Sequence, residues 1–157
     1  SRGAAGEIGH IHVEDKETEA CGCGNYGCLE EYASATGITR LANRALKASD
    51  KASVLRDGEV SAKTVFDAVK AGDELAIEVA KKFGEYLGKG LGVVAGVVDP
   101  EIFVIGGGVS KAGEVLFEYM KPSYEETVFH ACRNTIFALA TLGNDAGIYG
   151  AAKMVLD

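Results

Sequence analysis

Three cysteines lie within eight positions of the sequence, in the segment CGCGNYGCLE. One residue separates Cys21 from Cys23 and four separate Cys23 from Cys28, and the intervening glycines permit turns that let three sulfur atoms face one point. Tetrahedral zinc needs a fourth ligand, which is commonly a histidine. His10 lies eleven residues before Cys21, and His12 lies nine before it. The spacing therefore predicts a structural zinc site with four protein ligands.

Disulfide and redox roles are the alternatives for these cysteines. A disulfide between Cys21 and Cys23 would be strained, and pairing among three cysteines leaves one unpaired. A redox centre more often has Cys-x-x-Cys spacing beside a βαβ unit. The fourth cysteine, Cys132, is remote in the sequence, and its surroundings HACRN lack partners. No signal peptide is visible, so persistent disulfides are not expected and a cytoplasmic protein is the prediction.

Glutamates stand on both sides of the cysteine segment, with Glu7 before it and Glu30 and Glu31 after the last cysteine. Taken alone, Glu7 fits a solvated loop position. Both later glutamates fit the first turn of a helix, where the helix dipole favours acidic residues. A surface position is the prediction for Glu31 and also for His12.

The rest of the sequence predicts the elements that must hold these residues. HIHVE alternates and predicts a short strand over residues 10–14. Helical spacing begins at Cys28 and runs through CLEEYASATG and ITRLANRALKAS. Ser61 can then cap a further helix, which stops at Gly72.

A long helix is predicted from Asp73, which can cap it, to Asp99, where the following proline ends it. Four glycines recur along it at every fourth position: Gly84, Gly88, Gly92 and Gly96. Each glycine costs a helix about 1 kcal/mol, so the stripe predicts close approach of another backbone. A membrane-helix dimer motif is the alternative, but charged residues interrupt the segment.

Two apolar segments in the second half of the chain predict buried strands. EIFVIGGGVS places one strand at residues 102–105, before three glycines and a helix over residues 111–129, and NTIFALATLG holds the other strand. NDAGIYGAAKMVL predicts a final helix capped by Asn144 or Asp145. Strands that feed helices through short glycine turns indicate an α/β fold, here with helices in the majority.

The glycine turn after the first of these strands can present backbone N–H groups to a phosphate or nucleotide. It is not a Walker P-loop, and lysine at position 111 breaks the Gly-x-Gly-x-x-Gly pattern. A purely structural turn is the alternative. Ser110 can cap the next helix or touch a nucleotide, and capping is the prediction.

Composition limits the classes to which the protein can belong. The chain has 157 residues, of which 47% are hydrophobic and 25% charged, enough for one domain with its own core. The net charge of -7 argues against a nucleic-acid surface. The longest apolar run, GLGVVAGVV, is too short to span a bilayer. The opening SRGAAGEIGH is turn-like and lacks an initiator methionine, which predicts a piece of a larger protein.

The sequence resembles the ROK family (repressors, open reading frames and sugar kinases) in the pattern Glu-x-Gly-His, a spacer, then Cys-x-Cys-Gly-x-x-Gly-Cys-x-Glu. Every fixed position of this pattern is filled, by Glu7, Gly9, His10, Cys21, Cys23, Gly24, Gly27, Cys28 and Glu30. The resemblance continues through DPEIFVIGGGVS and LGNDAGIYGAA and so covers most of the chain. The segment EEYASATGI is closer to the bacterial glucokinase branch.

The resemblance implies half of an actin-like (ribonuclease H-like) two-lobed sugar kinase of the α/β class. Residues 1–157 would form its helix-rich carboxy-terminal lobe, and the final helix at 144–157 would pack towards the other lobe. The implied sites are a zinc site of His10, Cys21, Cys23 and Cys28, a sugar site of Glu7, His10 and Glu30, and a nucleotide site of Gly106, Gly107 and Gly108. Carboxylates accept hydrogen bonds from hydroxyl groups, and zinc on one ring nitrogen of a histidine fixes the other as a donor.

The function implied by the resemblance is that of an ATP-dependent hexose kinase, in the first place a glucokinase that phosphorylates the 6-hydroxyl group of glucose with ATP and Mg²⁺. The family's Asp-x-Gly-Gly-Thr phosphate loop does not occur in this sequence, so no catalytic residue is assigned and the chain alone is expected to be inactive. A homodimer is a family expectation. The alternatives are the sugar-sensing lobe of a ROK transcriptional repressor and a zinc-stabilised interaction domain without a ligand. The hexose and the donor, ATP or polyphosphate, stay open.

Overall fold

The computed structural model describes residues 2–156 as a helix-rich chain with one small parallel sheet. Its α-helices are α1 (Glu30–Ala33), α2 (Ala35–Ala48), α3 (Ala62–Lys70), α4 (Glu74–Val98), α5 (Val115–Thr127) and α6 (Ala146–Met154). The strands β1 (Ile102–Ile105) and β2 (Ile136–Leu139) pair in parallel, with Ile102 opposite Ile136. Short 3-10 helices lie at Ile8–His10, Val54–Arg56, Gly108–Ala112, His130–Cys132 and Gly143–Asp145. The predicted α/β class with helices in the majority is confirmed.

Side-chain caps start the two central helices where the sequence predicts them. The Ser61 hydroxyl accepts from the backbone N–H of Thr64, whose side chain in turn accepts from the Ser61 backbone, and this capping box begins α3. Asp73 Oδ1 accepts from the N–H of Ala76 at 2.9 Å and begins α4. At its other end α4 stops at Asp99, which adopts a left-handed conformation (φ 44°) just before proline.

The hydrophobic core lies where α4 packs against α5, with α2 and α3 on its flanks. Phe66 and Phe83 meet edge to face with ring centroids 6.0 Å apart, and Tyr124 is fully buried beside them in the same cluster. The largest buried side chains are those of Ile38, Val65, Phe66, Leu75, Phe83, Leu116, Met120 and Tyr124. Burial of each such side chain contributes about 2 kcal/mol of transfer free energy, so this core makes a large contribution to the stability of the chain.

The glycine stripe on α4 explains how closely α5 approaches. A Cβ atom at Gly84 would lie 2.2 Å from the carbonyl oxygen of Tyr119, and one at Gly88 would lie 2.6 Å from that of Met120. One at Gly92 would meet the hydroxyl oxygen of Thr127 at 2.9 Å. Close backbone packing is therefore confirmed at these three glycines. At Gly96 a Cβ atom would meet nothing within 4 Å, because α5 has already ended.

Across residues 2–156, no helix combines the length and the apolar character that crossing a bilayer requires. The contacts of Gly84, Gly88 and Gly92 with α5 agree with the favoured sequence prediction of close helix packing.

Among residues 2–156, Tyr124 of α5 covers one face of the sheet, and the other face is largely exposed. Phe103 and Phe137 stack with ring centroids 5.6 Å apart and both contact Tyr124 of α5. On the opposite face Ile102, Val104 and Ile136 remain 45%, 59% and 60% exposed. The strands stand where predicted, but the prediction that they are buried is wrong for this outer face.

Two predicted elements in the first third of the chain differ in the structure. Residues 10–14 do not form a strand, because the chain makes a 3-10 turn at Ile8–His10 and then only a single bridge from His12 to Cys28. The helical segment after Cys28 is broken at Ser34, whose extended backbone caps α2 by accepting from the N–H of Gly37. This break follows from the strong preference of serine for helix N-caps.

The two later helices also start differently from the prediction. The helix predicted at 111–129 begins as the 3-10 turn Gly108–Ala112, and α5 follows only after Gly113 (φ 82°). Asp145 stands at the N-cap position of α6, but its side chain makes no capping hydrogen bond, and the side chain of Asn144, the other predicted cap, lies outside the described residues. The packing of the final helix against another lobe stays a prediction, with Ile148 and Tyr149 of α6 exposed. The first and last residues of the chain lie outside the described residues.

Candidate functional site

The four predicted zinc ligands come together in the structure. The ligand atoms of His10, Cys21, Cys23 and Cys28 all lie within 4.8 Å of one another. Cys23 Sγ lies 3.6 Å from Cys28 Sγ, and Cys21 Sγ lies 3.8 Å from His10 Nδ1. Zinc–sulfur bonds of about 2.3 Å give edges of about 3.7 Å between sulfur atoms in a tetrahedral site, so the cluster fits zinc.

The same distances rule out the disulfide alternative within the cluster. A disulfide requires sulfur atoms about 2.05 Å apart, whereas Cys23 and Cys28 hold theirs at 3.6 Å and the cysteines are free. His12 does not join the ligand set. Its ring contacts the carbonyl oxygen of Tyr26 at 2.9 Å and the carboxylate of Asp15 at 2.8 Å, so its predicted exposed position is confirmed.

We use the name metal loop for residues 10–28, whose shape depends on two left-handed glycines. Gly24 (φ 90°) lets its N–H reach back to the carbonyl oxygen of Cys21 at 2.8 Å, and the N–H of Cys21 reaches Asn25 O at 2.8 Å. Gly27 (φ 67°) lies so close to the incoming chain that a Cβ atom there would sit 2.1 Å from Glu14 O. Both conformation and space therefore require glycine at this position.

The pKa of the thiol group differs between Cys21 and Cys23. A backbone hydrogen bond from Asn25 lowers the pKa of the Cys23 thiol. At Cys21 the backbone N–H of Cys23 lowers the pKa, but the contact with the Glu30 carboxylate and burial outweigh it and raise that pKa to about 12. A bound divalent cation would reverse the effect at Cys21, because the metal stabilises the thiolate directly.

Glu7, His10 and Glu30 converge beside the metal cluster. His10 Nδ1, which faces the cysteines, lies 3.6 Å from Glu30 Oε1, and its Nε2 lies 4.0 Å from Glu7 Oε2. Glu30 Oε1 also accepts from Cys21 Sγ at 2.9 Å. Gly9 lies beside Glu30, because a Cβ atom at Gly9 would make ordinary van der Waals contact with that of Glu30 at 3.4 Å. The result is an open group of two carboxylate acceptors and one imidazole, suited to binding hydroxyl groups.

A set of ion pairs that the sequence does not reveal anchors the metal loop to α2. We call it the ion-pair network, and it consists of Glu17, Glu19, Glu31, Arg40 and Arg44. Arg44 donates two hydrogen bonds to Glu17, at 2.9 and 3.0 Å, and the Glu17 side chain is only 3% exposed. These bonds hold the pKa of the Glu17 carboxyl far below 4.5, against the opposing effect of burial. The network fixes the loop with charged groups rather than apolar ones.

Two tyrosine hydroxyls also hold the metal loop by hydrogen bonds. Tyr32 donates to Glu17, and Tyr86 donates to Glu14 at 2.6 Å, while their rings stack with centroids 4.2 Å apart. Burial raises the pKa of both hydroxyls, and the adjacent carboxylates raise it further. The tyrosines therefore remain protonated donors to the loop.

The prediction that Glu31 is a plain surface residue is wrong. Its side chain is 25% exposed and pairs with Arg40 Nη1. The sequence carried a weak signal for this network, since Arg40 and Arg44 stand four residues apart on one helix face. It gave no means of matching them to glutamates from two other segments.

The predicted glycine turn follows β1, but its geometry departs from a strand–turn–α-helix. Gly107 has φ 73° and leads into the five-residue 3-10 helix Gly108–Ala112. Ser110 donates its hydroxyl to the carbonyl oxygen of Gly107 at 2.8 Å, so the prediction that it caps an α-helix is wrong. A Cβ atom at Gly108 would lie 3.1 Å from that of Ala35, so the turn lies beside the α1–α2 junction that follows Glu30.

The fold and the cluster together define a class of protein. The helix-rich chain with its small parallel sheet has the actin-like ATPase fold of ROK sugar kinases and covers about half of such a kinase. A profile of the ROK family matches residues 1–157, and the chain belongs to this family. The resemblance stated from the cysteine motif is confirmed.

Individual relatives agree with this assignment. The chain is 41% identical to a glucokinase of Halalkalibacterium halodurans over 158 residues, which cover 98% of this chain and 48% of that protein. It matches a ROK family glucokinase of Streptomyces griseus, solved with glucose and AMPPNP, at a TM-score of 0.83 and 32% identity, over 96% of this chain and 51% of that one. The chain thus spans about half the length of the glucokinases it matches.

A regulator is also among the relatives. The DNA-binding transcriptional dual regulator NagC of Escherichia coli is 34% identical over 134 residues, which cover 85% of this chain and 32% of the regulator. Kinases and repressors are therefore both represented among the similar proteins.

Proposed function

We propose that this chain is the sugar- and zinc-binding lobe of an ATP-dependent hexose kinase, specifically a glucokinase that phosphorylates the 6-hydroxyl group of glucose. The observation that carries the proposal is the convergence of Glu7, His10 and Glu30 beside the metal cluster, with Glu30 Oε1 2.9 Å from Cys21 Sγ. Carboxylates so placed accept hydrogen bonds from hydroxyl groups and discriminate against a sugar that lacks one of them, because a charged acceptor would then lose its partner.

The metal ligands in this proposal are His10, Cys21, Cys23 and Cys28, four nitrogen and sulfur donors at distances that fit tetrahedral zinc. When bound, zinc would act structurally and close the metal loop. His10 binds through Nδ1, which leaves Nε2 as a donor on the side of Glu7. Glu30 holds its carboxylate beside the ligands and receives a sugar hydroxyl.

The nucleotide part of the proposal is Gly106, Gly107 and Gly108. The contact between Gly108 and Ala35 puts this turn on the side of the molecule where α2 begins, after Glu30. In the whole kinase, ATP with Mg²⁺ would supply the phosphoryl group. The phosphate loop and the catalytic aspartate would come from sequence outside this chain, so the chain alone is proposed to be inactive, and the whole protein to act as a cytoplasmic homodimer.

The sugar-sensing lobe of a ROK transcriptional repressor is the second candidate, and the similarity to NagC favours it. A repressor would use the same sugar site to change its affinity for DNA and would not transfer phosphate. The two candidates share the zinc cluster and differ in what the rest of the protein does.

Assay of the full-length protein tests this proposal. We expect glucose-dependent formation of ADP from ATP, with glucose binding weakened at least tenfold by Glu30→Gln and ATP binding nearly unchanged. Glu126→Gln, the same change on an exposed position of α5, is the matched control and should change neither. Equal loss of both affinities in Glu30→Gln would contradict a sugar-binding role. Sugar-dependent DNA release without ADP formation would establish the repressor instead.

A further inference from the structure

Arg40 connects the two segments that meet at the candidate sugar site. Its Nη2 atom lies 2.7 Å from Glu19 Oε2 and 3.2 Å from Glu17 Oε2, both in the metal loop. Its Nη1 atom donates to Glu31 of α1. One guanidinium therefore holds the loop with one nitrogen and the helix with the other.

The two segments carry the parts of the site that must be aligned. The loop continues from Glu19 to the ligand Cys21, while in α1 Glu31 directly follows the sugar-binding candidate Glu30. Loop and helix meet again where Cys21 Sγ lies 2.9 Å from Glu30 Oε1. Since α1 has only four residues, it has little intrinsic stability, and its orientation depends on such contacts.

We propose that Arg40 is a positioning residue, which sets the orientation of Glu30 relative to the metal ligands through its simultaneous contacts with Glu31 and the loop carboxylates. The proposal rests on the sugar-binding role of Glu30 proposed above. Arg40 is suited to this task because its side chain is only 17% exposed and its partners Glu17 and Glu31 are 3% and 25% exposed, so these two contacts are partly shielded from solvent. The planar guanidinium also fixes the angle between its two partners, which a lysine ammonium cannot do.

Arg44 supplies a matched control on the same helix. It lies one turn after Arg40. Within the ion-pair network Arg44 pairs with Glu17 and Glu19 and forms no ion pair with Glu31. Replacement of Arg44 therefore weakens the anchoring of the loop while the link from Arg40 to α1 remains. A comparison of the two arginines separates positioning of Glu30 from general support of the loop.

The experiment compares Arg40→Met, Arg40→Lys and Arg44→Met in the full-length protein by steady-state kinetics, zinc content and thermal unfolding. We expect Arg40→Met to raise KM for glucose about tenfold, with kcat and KM for ATP within about twofold of the parent. Arg40→Lys should keep the thermal stability. It should recover less than half of the affinity for glucose that Arg40→Met loses, on a logarithmic scale, because the lysine ammonium lacks the two separate donor nitrogens of a planar guanidinium. Arg44→Met should lower thermal stability with less than about a threefold change in KM for glucose.

A double-mutant cycle with Glu31→Gln tests the route of the effect. If Arg40 acts through Glu31, the single change Glu31→Gln raises KM for glucose, and the double variant is no worse than Arg40→Met alone. Equal KM changes in Arg40→Met and Arg44→Met, or additive effects in the cycle, overturn the proposal. Failure of the proposed function would instead appear as an unchanged KM in Glu30→Gln, whatever the arginine variants do.

Discussion

The metal loop and the α4–α5 contact are held together by opposite means. The loop has almost no regular secondary structure. It carries the four clustered candidate metal ligands and is fixed by the ion-pair network and two tyrosine hydroxyls. The contact between α4 and α5 is made of buried apolar side chains and glycines that admit a neighbouring backbone. One region depends on a few directional contacts and the other on many contacts without preferred direction.

Substitutions in the metal loop and substitutions between α4 and α5 should therefore have different effects. A change in the loop displaces particular groups of the candidate site and leaves most of the buried area intact. A change between α4 and α5 acts on the free energy of unfolding of the whole chain, because close-packed interiors do not yield locally. The four predictions below test that separation, from the largest expected effect to the smallest.

Loss of the metal should unfold the metal loop and remove its contribution to the stability of the chain, while α4 stays folded. Cys23→Ser should remove bound zinc, found otherwise at about one per chain, and lower the thermal midpoint by about 10 °C. Hydrogen exchange should show lost protection in residues 13–29 and retained protection in α4. Cys132→Ser, outside the cluster, is the control and should keep the zinc. An unchanged midpoint in chelator-treated protein would contradict the structural role of the metal.

Gly84→Ala should destabilise the whole chain. The added Cβ atom would lie 2.2 Å from Tyr119 O, so the two helices must separate, and we expect a loss of about 3 kcal/mol in the free energy of unfolding. Urea unfolding monitored by circular dichroism measures this loss. Zinc content should stay at the level of the parent protein. A loss below about 1 kcal/mol would show that the interface can relax.

Glu17→Gln should weaken the protein in a pH-dependent way. The Arg44 hydrogen bonds depress the pKa of Glu17 in the folded state, so its contribution is present above the unfolded value of 4.5 and is lost as the pH falls below it. We expect a loss of about 2 kcal/mol at pH 7. The difference from the parent should shrink steadily between pH 4.5 and pH 3. A difference independent of pH would contradict the ionic role of Glu17.

Gly96→Ala should give the smallest effect, of opposite sign to that of Gly84→Ala. A Cβ atom at Gly96 meets nothing within 4 Å, so the substitution adds helix propensity without a clash. We expect a gain of about 0.5 kcal/mol in the same urea experiment. Destabilisation by this substitution would show that something packs against the end of α4.

The sequence was most informative where one residue type has a single physical use. The caps at Ser61 and Asp73 and the stop at Asp99 were predictable because each depends on local backbone chemistry. The clustering of His10 with Cys21, Cys23 and Cys28 was predictable because three closely spaced cysteines and a nearby histidine are typical of a zinc site. The α/β class followed from the order of these elements.

What could not be predicted depends on partners distant in the sequence. The charges of Glu17 and Arg44 are 27 positions apart, and no local pattern pairs them. The break at Ser34 requires competition between helix continuation and a cap, which propensity alone does not decide. The exposed outer face of the sheet likewise depends on what covers it, whereas a run of apolar residues predicts only a strand.

The outer face of the sheet bears on how this chain behaves when it is produced by itself. Ile102, Val104 and Ile136 present apolar side chains on the open face of a two-stranded sheet, and an exposed apolar surface of this kind favours association between copies of the chain. The net charge of -7 opposes such assembly by repulsion between copies. Added salt, or a pH near the isoelectric point of about 5.0, removes that repulsion and favours precipitation. Repulsion between charged copies thus keeps the isolated chain in solution, whereas the packing of apolar side chains stabilises its folded core.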